Sequence, residues 1–246
     1  MTAVEMHQQF ELLYNNIISN QAPGLNSYEI SQFLTKAQLE KLKNYFNPKS
    51  NTLKEGFDDS KKRQLDFSNI ITTVEVSKLL NPTVFLEDVD WVYKVPSNTL
   101  MILNEYLTVP NHKEYMDLHI TSINYDEYTR RKQRYYQKPL KYESWKLVID
   151  HAIIDDVPYD IVELIPNVSK DLGYIYKLRY LRMPVPIIIE DLSSLGLTID
   201  GVSSVSNCEL DVEIHDEIVQ RAVEMAKAAY IQGDLKSSIE IGNRSE

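Results

Sequence analysis

His215-Asp216-Glu217-Ile218-Val219-Gln220-Arg221-Ala222-Val223-Glu224-Met225-Ala226-Lys227-Ala228-Ala229-Tyr230-Ile231 is the stretch on which the reading of this chain turns. Ile218, Val219, Ala222, Val223, Ala226, Ala229 and Tyr230 recur at the i, i+3, i+4, i+7 spacing of one helical face. Asp216 and Glu217 stand where the amino-terminal end of the helix dipole favours negative charge, and Lys227 falls towards the other end. The stripe is built largely of alanine and valine, so a neighbouring element can come close to the helix axis. That neighbour is either the protein's own core or a second copy of the chain. Ile218, Val219, Ala222, Val223, Ala226 and Tyr230 are therefore the candidate oligomer interface. Only a polar tail follows, and nothing in the helix suits catalysis.

Helical signals return at the other end of the chain. Thr2 and Glu5 have the spacing of a capping box, and Met6, Phe10, Leu13 and Ile17 follow on one face. Gln21-Ala22-Pro23-Gly24 stops that helix. Asn26 and Glu29 repeat the capping spacing, ahead of a longer stripe of Ile30, Phe33, Leu34, Ala37, Leu42, Tyr45 and Phe46. A third short helix is expected from near Asp58 to Ile70, with Leu65 and Ile70 buried and Lys61, Lys62 and Arg63 on a solvated face.

Past Asn81 the period changes to two. Val89, Trp91, Tyr93 and Val95 alternate with Asp90, Val92 and Lys94, the pattern of a half-buried strand. Further strands are expected at Leu100–Val109, around Met116–Ile120, at Trp145–Ile154, at Tyr159–Ile165 and from Tyr174 to Leu181. Asp155-Asp156-Val157-Pro158 joins two of them as a hairpin. Pro184 and Pro186 demote Val185–Ile189 to an edge strand or an extended arm. Most connections are too short for crossover helices, which predicts antiparallel pairing. The fold class is α+β: an N-terminal helical bundle, a central antiparallel β-rich region and a C-terminal packing helix. The corresponding segments are 1–75, 76–195, 196–232 for the linker and closing helix, and 233–246 for the polar tail.

A length of 246 residues is ample for a core, and a hydrophobic content of 43% with 25% charged residues is that of a soluble globular chain. The net charge of −10 argues against broad attraction to nucleic acid or an anionic membrane. A single cysteine, Cys208, excludes an internal disulfide framework and any multi-thiolate metal site. Met1 to Phe10 lacks the basic start and apolar run of a secretory signal, and no apolar run approaches the roughly 20 residues that span a bilayer. Tyrosine occurs 16 times and glycine 7 times. That balance suits strands and wet interfaces and weighs against phosphate-cradling loops.

Catalytic patterns are missing at each place where they would be sought. Gly196 and Gly201 have the spacing of a phosphate loop, but Val202 stands where its lysine belongs, so they read as turn glycines. Neither a G-x-S-x-G elbow nor an H-E-x-x-H pair occurs. Asp150-His151 with Asp155-Asp156 suggests a relay or metal corner, yet adjacent strand residues point to opposite faces. His151 is therefore expected to be structural or solvated. Glu87, Asp88 and Asp90 lack the glycine-bearing frame of a calcium loop. The expectation is no enzyme, no metal and no cofactor.

Tyr128 to Lys146 is the local exception to the acidic balance. Seven basic residues (Arg130, Arg131, Lys132, Arg134, Lys138, Lys141, Lys146) stand against Glu143, with Tyr128, Tyr135, Tyr136, Tyr142 and Trp145 interleaved. Such a mixture contacts phosphates and bases, forms protein interfaces, or is a solvated loop. Arg130, Arg131, Lys132 and Arg134 are the candidate contacts to a neighbour or to DNA. A nucleic-acid-binding protein using 128–146 is accordingly the alternative function.

The closing helix, the opening Met1-Thr2-Ala3-Val4-Glu5-Met6-His7 and the helix segment Phe33-Leu34-Thr35-Lys36-Ala37-Gln38 resemble the ring proteins in the neck and tail of crAss-like bacteriophages. The resemblance brackets the chain, while the middle, from about Asn81 to Ser194, matches only in general character. It implies a structural virion protein, made in the host bacterial cytoplasm. Its copies would form a homo-oligomeric ring, a dodecamer, docked on the portal protein or on other tail rings of a podovirus-like particle. Double-stranded DNA would pass through the lumen without specific binding, and no membrane is involved. Basic and acidic surfaces on one chain suit the stacking of such rings.

Overall fold

Two capping boxes begin the first two helices. In a computed structural model that describes residues 1–17, 24–46, 61–79, 82, 85–109, 117–154, 157–168 and 173–230, α1 spans Ala3–Ile17 and α2 spans Ser27–Phe46. The Glu5 N–H donates to Thr2 Oγ1 at 3.2 Å and the Thr2 N–H to Glu5 Oε2 at 2.8 Å. Asn26 and Glu29 make the same reciprocal pair at 2.8 and 3.0 Å. Each box satisfies amide groups that a helix start leaves open. The polar tail, Asp58–Ser60, Met116 and the side chains of Ile17, Tyr45, Phe46, Lys61, Lys62, Arg63, Tyr135 and Tyr230 lie outside the described residues.

The chain divides into two units, Met1–Ile70 with Pro184–Glu246, and Ile71–Met183. In the first, α1 and α2 both pack on the closing helix α5, Val212–Tyr230. Ile218, Val219, Ala222, Val223 and Ala226 are all at most 3% exposed, and Met6, Phe10, Ile30, Leu34 and Ala37 are buried with them. Polar ties mark the rims of this packing. Arg221 reaches Glu40 of α2 at 2.5 Å, and Gln9 of α1 donates to Asp216 at 2.9 Å. The small side chains of α5 thus serve close packing inside one protomer.

Val185–Ile189 is an extended arm laid along α2, not a strand of a sheet. Ser31, Thr35 and Gln38 occupy one face of α2 at helical spacing and are buried, although polar. The Ile187 N–H donates to Thr35 Oγ1 at 3.1 Å, and the Ile189 N–H to Ser31 Oγ at 3.2 Å. Between them, Ile188 points the other way along the backbone and pairs with Ser206 in both directions, at 3.0 and 3.1 Å. The helix hydroxyls therefore do for the arm what a neighbouring strand would otherwise do. Farther on, Gly196 and Gly201 both have positive φ, the turn role expected of them.

The third helix is shorter than expected. α3 covers Lys61–Asp66, and a 3-10 turn covers Ser68–Ile70. Ile70 is buried as anticipated, but Leu65 is 67% exposed. Phe67, beyond the helix end and 1% exposed, fills the core position instead.

The second unit is a seven-stranded sheet in the order β1-β7-β3-β4-β5-β6-β2. Its strands are β1 Ile71–Glu75, β2 Val92–Val95, β3 Thr99–Thr108, β4 Leu118–Ser122, β5 Glu143–Ile154, β6 Val157–Pro166 and β7 Ile175–Arg182. Chain continuing from β1 reaches the opposite edge. The Leu79 N–H donates to Val92 O at 2.9 Å and the Lys94 N–H to Ser77 O at 3.1 Å, so the sheet curls until its edges meet. Tyr93, Val95, Leu107, Val109, Leu118, Ile120, Val162, Leu164, Tyr174, Tyr176, Leu178 and Tyr180 fill the enclosed face.

Two features correct the sequence reading of this unit. β4 and β5 run parallel, so the sheet is mixed and not wholly antiparallel. The intervening residues include a helix, α4 Tyr125–Lys132, which supplies the crossover that a parallel pair needs. In addition, Val89–Trp91 is a 3-10 turn and the strand starts only at Val92. Asp88 caps that turn by accepting from the Asp90 N–H at 3.1 Å. Glu163, fully buried on β6, holds the preceding bend by accepting from the N–H groups of Leu86, Glu87 and Asp88 at 2.6, 2.7 and 2.9 Å. Three amides converging on one carboxylate fix the backbone in a turn rather than a strand.

Candidate assembly surfaces

The basic segment is a short helix followed by a loop. Asp126 and Glu127 lie in the first turn of α4 and Arg130, Arg131 and Lys132 in its last turn, so both ends complement the helix dipole. Tyr128 anchors the helix to the outer face of β5 and β6, in a cluster with Ile123, Trp145 and Leu147. Its hydroxyl donates to Glu87, and Lys132 Nζ lies 2.8 Å from the same carboxylate. Hydrogen bonds from Lys132 and Tyr128 hold the Glu87 carboxyl below the usual carboxylate range. Burial, aided by Glu87, pushes the Tyr128 phenol up.

Three of the seven cations are held by carboxylates of their own unit. Arg131 pairs with Glu127 at 2.5 Å and lies over the Trp145 ring at 5.2 Å. Lys132 is held by Glu87, and Lys146 is buried inside the sheet on Glu105. Arg130, Arg134, Lys138 and Lys141 are exposed. Beside the last three, Tyr136 is 96%, Leu140 71% and Tyr142 51% exposed. Of the four candidate contact residues, Arg130 and Arg134 face solvent, whereas Arg131 and Lys132 are engaged with carboxylates of their own unit.

On α5, the residues singled out from the sequence lie elsewhere than on a surface. Ile218, Val219, Ala222, Val223 and Ala226 are covered by α1 and α2 of the same chain. A contact between copies through these five side chains requires that covering to open.

The far end of β5, where Asp150 and His151 were weighed only as a relay or metal corner, is a further exposed surface. β5 pairs with β4 only at Glu143–Lys146 and with β6 along its length, while β6 pairs with β2 only at Asp160–Glu163. Among the described residues, the β5–β6 hairpin beyond Ile149 and Asp160 thus has no strand on either side. Asp150, His151 and Asp160 are exposed, Ile153 is 76% exposed, and His151 Nδ1 lies 2.6 Å from Asp160 Oδ1. That pair is solvated, as expected for His151. Between Leu147 and Ser169 the sequence carries Asp150, Asp155, Asp156, Asp160 and Glu163 and no lysine or arginine. A signal was present in that charge run.

No cluster of His, Cys, Asp or Glu among the described residues is arranged to hold a metal ion. No described helix is long and apolar enough to cross a membrane.

The sequence model of the family described as "Phage tail ring protein 3/4" matches residues 1–237. This chain belongs to that phage tail ring protein family. It is 46% identical over 250 residues to "Ring protein 4/5" of Bacteroides phage crAss001, with the whole of both chains covered. It is also 27% identical over 230 residues to "Ring protein 3" of the same phage, covering 92% of this chain and 95% of that one. The match runs through both units, including the middle that general character alone had suggested. As a phage tail ring protein it is a structural part of the virion, and the family implies a role without catalysis.

Proposed function

We propose that this chain is the subunit of a homo-oligomeric ring, a dodecamer, in the portal–tail neck of a podovirus-like crAss phage. The ring forms part of the conduit through which the genome leaves. The observation that carries this reading is end-to-end similarity to two ring proteins of one phage, at 46% and 27% identity. The higher value supports a ring of the 4/5 type. A closed ring satisfies every head-to-tail contact, as cyclic symmetry requires. The subunit is made in the host cytoplasm and docks on the portal protein or on other tail rings.

DNA passes through the lumen without being gripped. The net charge of −10 favours a wall that repels phosphate. The alternative, nucleic-acid binding by 128–146, loses Arg131, Lys132 and Lys146 to internal carboxylates. Electron microscopy of the intact particle tests the proposal by locating this chain. A continuous ring of copies around the axial channel is expected, and a chain found outside the neck overturns it. Reversing the charge of lumen acids is expected to slow genome ejection, whereas unchanged ejection rejects the repelling wall.

A further inference from the structure

A head-to-tail ring needs two different surfaces on one protomer that fit each other, and the sheet unit carries two exposed surfaces of opposite charge at the two ends of β5. Just before β5 lies the exposed stretch Arg134–Tyr142, with Arg134, Lys138 and Lys141 interleaved with Tyr136, Leu140 and Tyr142. At the end of β5 projects the hairpin bearing Asp150, Asp160 and the exposed Ile153. Along β5, Asp150 lies eight residue steps from Tyr142 and Ile153 eleven, which at about 3.3 Å a step places them roughly 26 and 36 Å away. They therefore cannot neutralise each other within one sheet unit.

We propose that the β5–β6 hairpin is an arm that docks on the basic, tyrosine-bearing stretch 134–142 of the adjacent copy in the ring. The inference rests on the ring reading and assigns its lateral contact. Charge complementarity selects the occupant. An arm with acids and no lysine or arginine meets a stretch whose exposed cations are interspersed with aromatic and aliphatic surface, and both belong to the same chain. Ile153 supplies an apolar group for the exposed surface of Tyr136 and Leu140, as interface cores pair apolar groups inside a polar rim.

The contact is made by side chains and not by strand addition. A bulge interrupts the β5–β6 register between Val148 and Asp150, and Asp150 places a charge where the free edge begins. Bulges and charges are what keep an exposed edge from accepting another strand. Nor is the hairpin needed to complete its own sheet, since the β2 and β4 pairings end before it. Projection beyond the sheet leaves it accessible to a neighbour.

The test is a charge swap in the full chain, assembled with neighbouring ring proteins where assembly requires them. One variant reverses the arm, Asp150→Lys with Asp160→Lys. A second reverses the receiving stretch, Arg134→Glu with Lys138→Glu, and a third combines all four changes. Sedimentation reads the assembly, and circular dichroism with a thermal melt confirms folding. The substituted side chains are exposed, so wild-type melts are expected. Each single reversal should convert rings into protomers, and the combined variant should restore rings. In addition, a photo-crosslinker at Ile153 should join to 134–142 of a second copy, giving a ladder of covalent multimers. Reversals that assemble like the wild type overturn the contact while leaving the ring standing. A combined variant that stays dispersed, closed dimers only, or crosslinks to a different ring protein also overturn it. A wild-type chain that never forms a ring of copies removes the ring reading and this contact together.

Discussion

Lys146 Nζ lies 2.6 Å from both carboxylate oxygens of Glu105, on the enclosed face of the curled sheet, with the two side chains 7% and 11% exposed. Tyr176 donates its hydroxyl to the same carboxylate at 2.7 Å. One of the cations that made the sequence look basic is thus the centre of an internal polar cluster. Breaking a buried pair leaves a charge without compensation, whereas replacing the whole group with apolar side chains does not. Lys146→Met is expected to cost about 3–5 kcal/mol in denaturant unfolding. Combining it with Glu105→Leu and Tyr176→Phe should recover most of that loss. A triple variant as unstable as the single one would show that the cluster is not a compensated unit.

Tyr93 and Tyr176 meet edge to face at 5.3 Å but have opposite polar fates. The Tyr93 hydroxyl is buried without a hydrogen-bond partner among the described residues, and burial pushes its phenol up to about 12. Removing an unsatisfied group relieves a desolvation penalty, while removing a donor from a carboxylate forfeits a charge-assisted bond. Tyr93→Phe is therefore expected to leave stability unchanged or raise it by about 1 kcal/mol, and Tyr176→Phe to lower it by about 1.5–3 kcal/mol. Urea midpoints that move in the reverse order would contradict the assignment.

Ala226 has no exposed surface and sits where α5 meets the first two helices. Ala226→Glu forces a carboxylate into that packing, and particles are expected to exclude the variant because its helical unit does not fold. The discriminating measurement is the helical signal of the purified variant. A folded, unassembled Ala226→Glu chain would instead make this face a contact between copies.

His215 couples the helical unit to pH. Burial lowers the proton affinity of its imidazole, which sits 2% exposed with Nε2 3.0 Å from the Leu210 carbonyl oxygen. The unfolded ring protonates near its ordinary value of 6.5, before the folded one does. The contribution of a neutral His215 is therefore complete above 6.5 and is lost progressively as pH falls towards the lower folded value. Denaturant midpoints of His215→Gln should decline less steeply through this interval than those of the wild type. Parallel declines would remove His215 as a source of acid sensitivity.

Local chemistry was legible in the sequence. Thr2 with Glu5 and Asn26 with Glu29 are neighbours in the chain, so their spacing alone determined both helix starts. The stripe of α5 was equally plain, but its partner was not, because periodicity is the same whether a face meets α1 and α2 or a second copy. α4 went unread since Tyr128 is its one buried residue and its charges dominate. Asp126-Glu127 ahead of Arg130-Arg131-Lys132 is nevertheless the charge order of a helix, and reading it would have revealed the parallel β4–β5 pair. The sorting of the basic segment was beyond reach. Lys146 finds Glu105 41 residues away, and Glu163 holds amides 75 to 77 residues before it.

Because the helical unit joins residues 1–70 to 184–230, with the sheet unit inserted between, its first two helices leave the ribosome long before the helix they pack against. Synthesis thus acts as a clock. Met6, Phe10, Ile30 and Leu34 are buried in the complete chain, so a copy truncated before Val212–Tyr230 is expected to expose apolar surface until the closing helix is made.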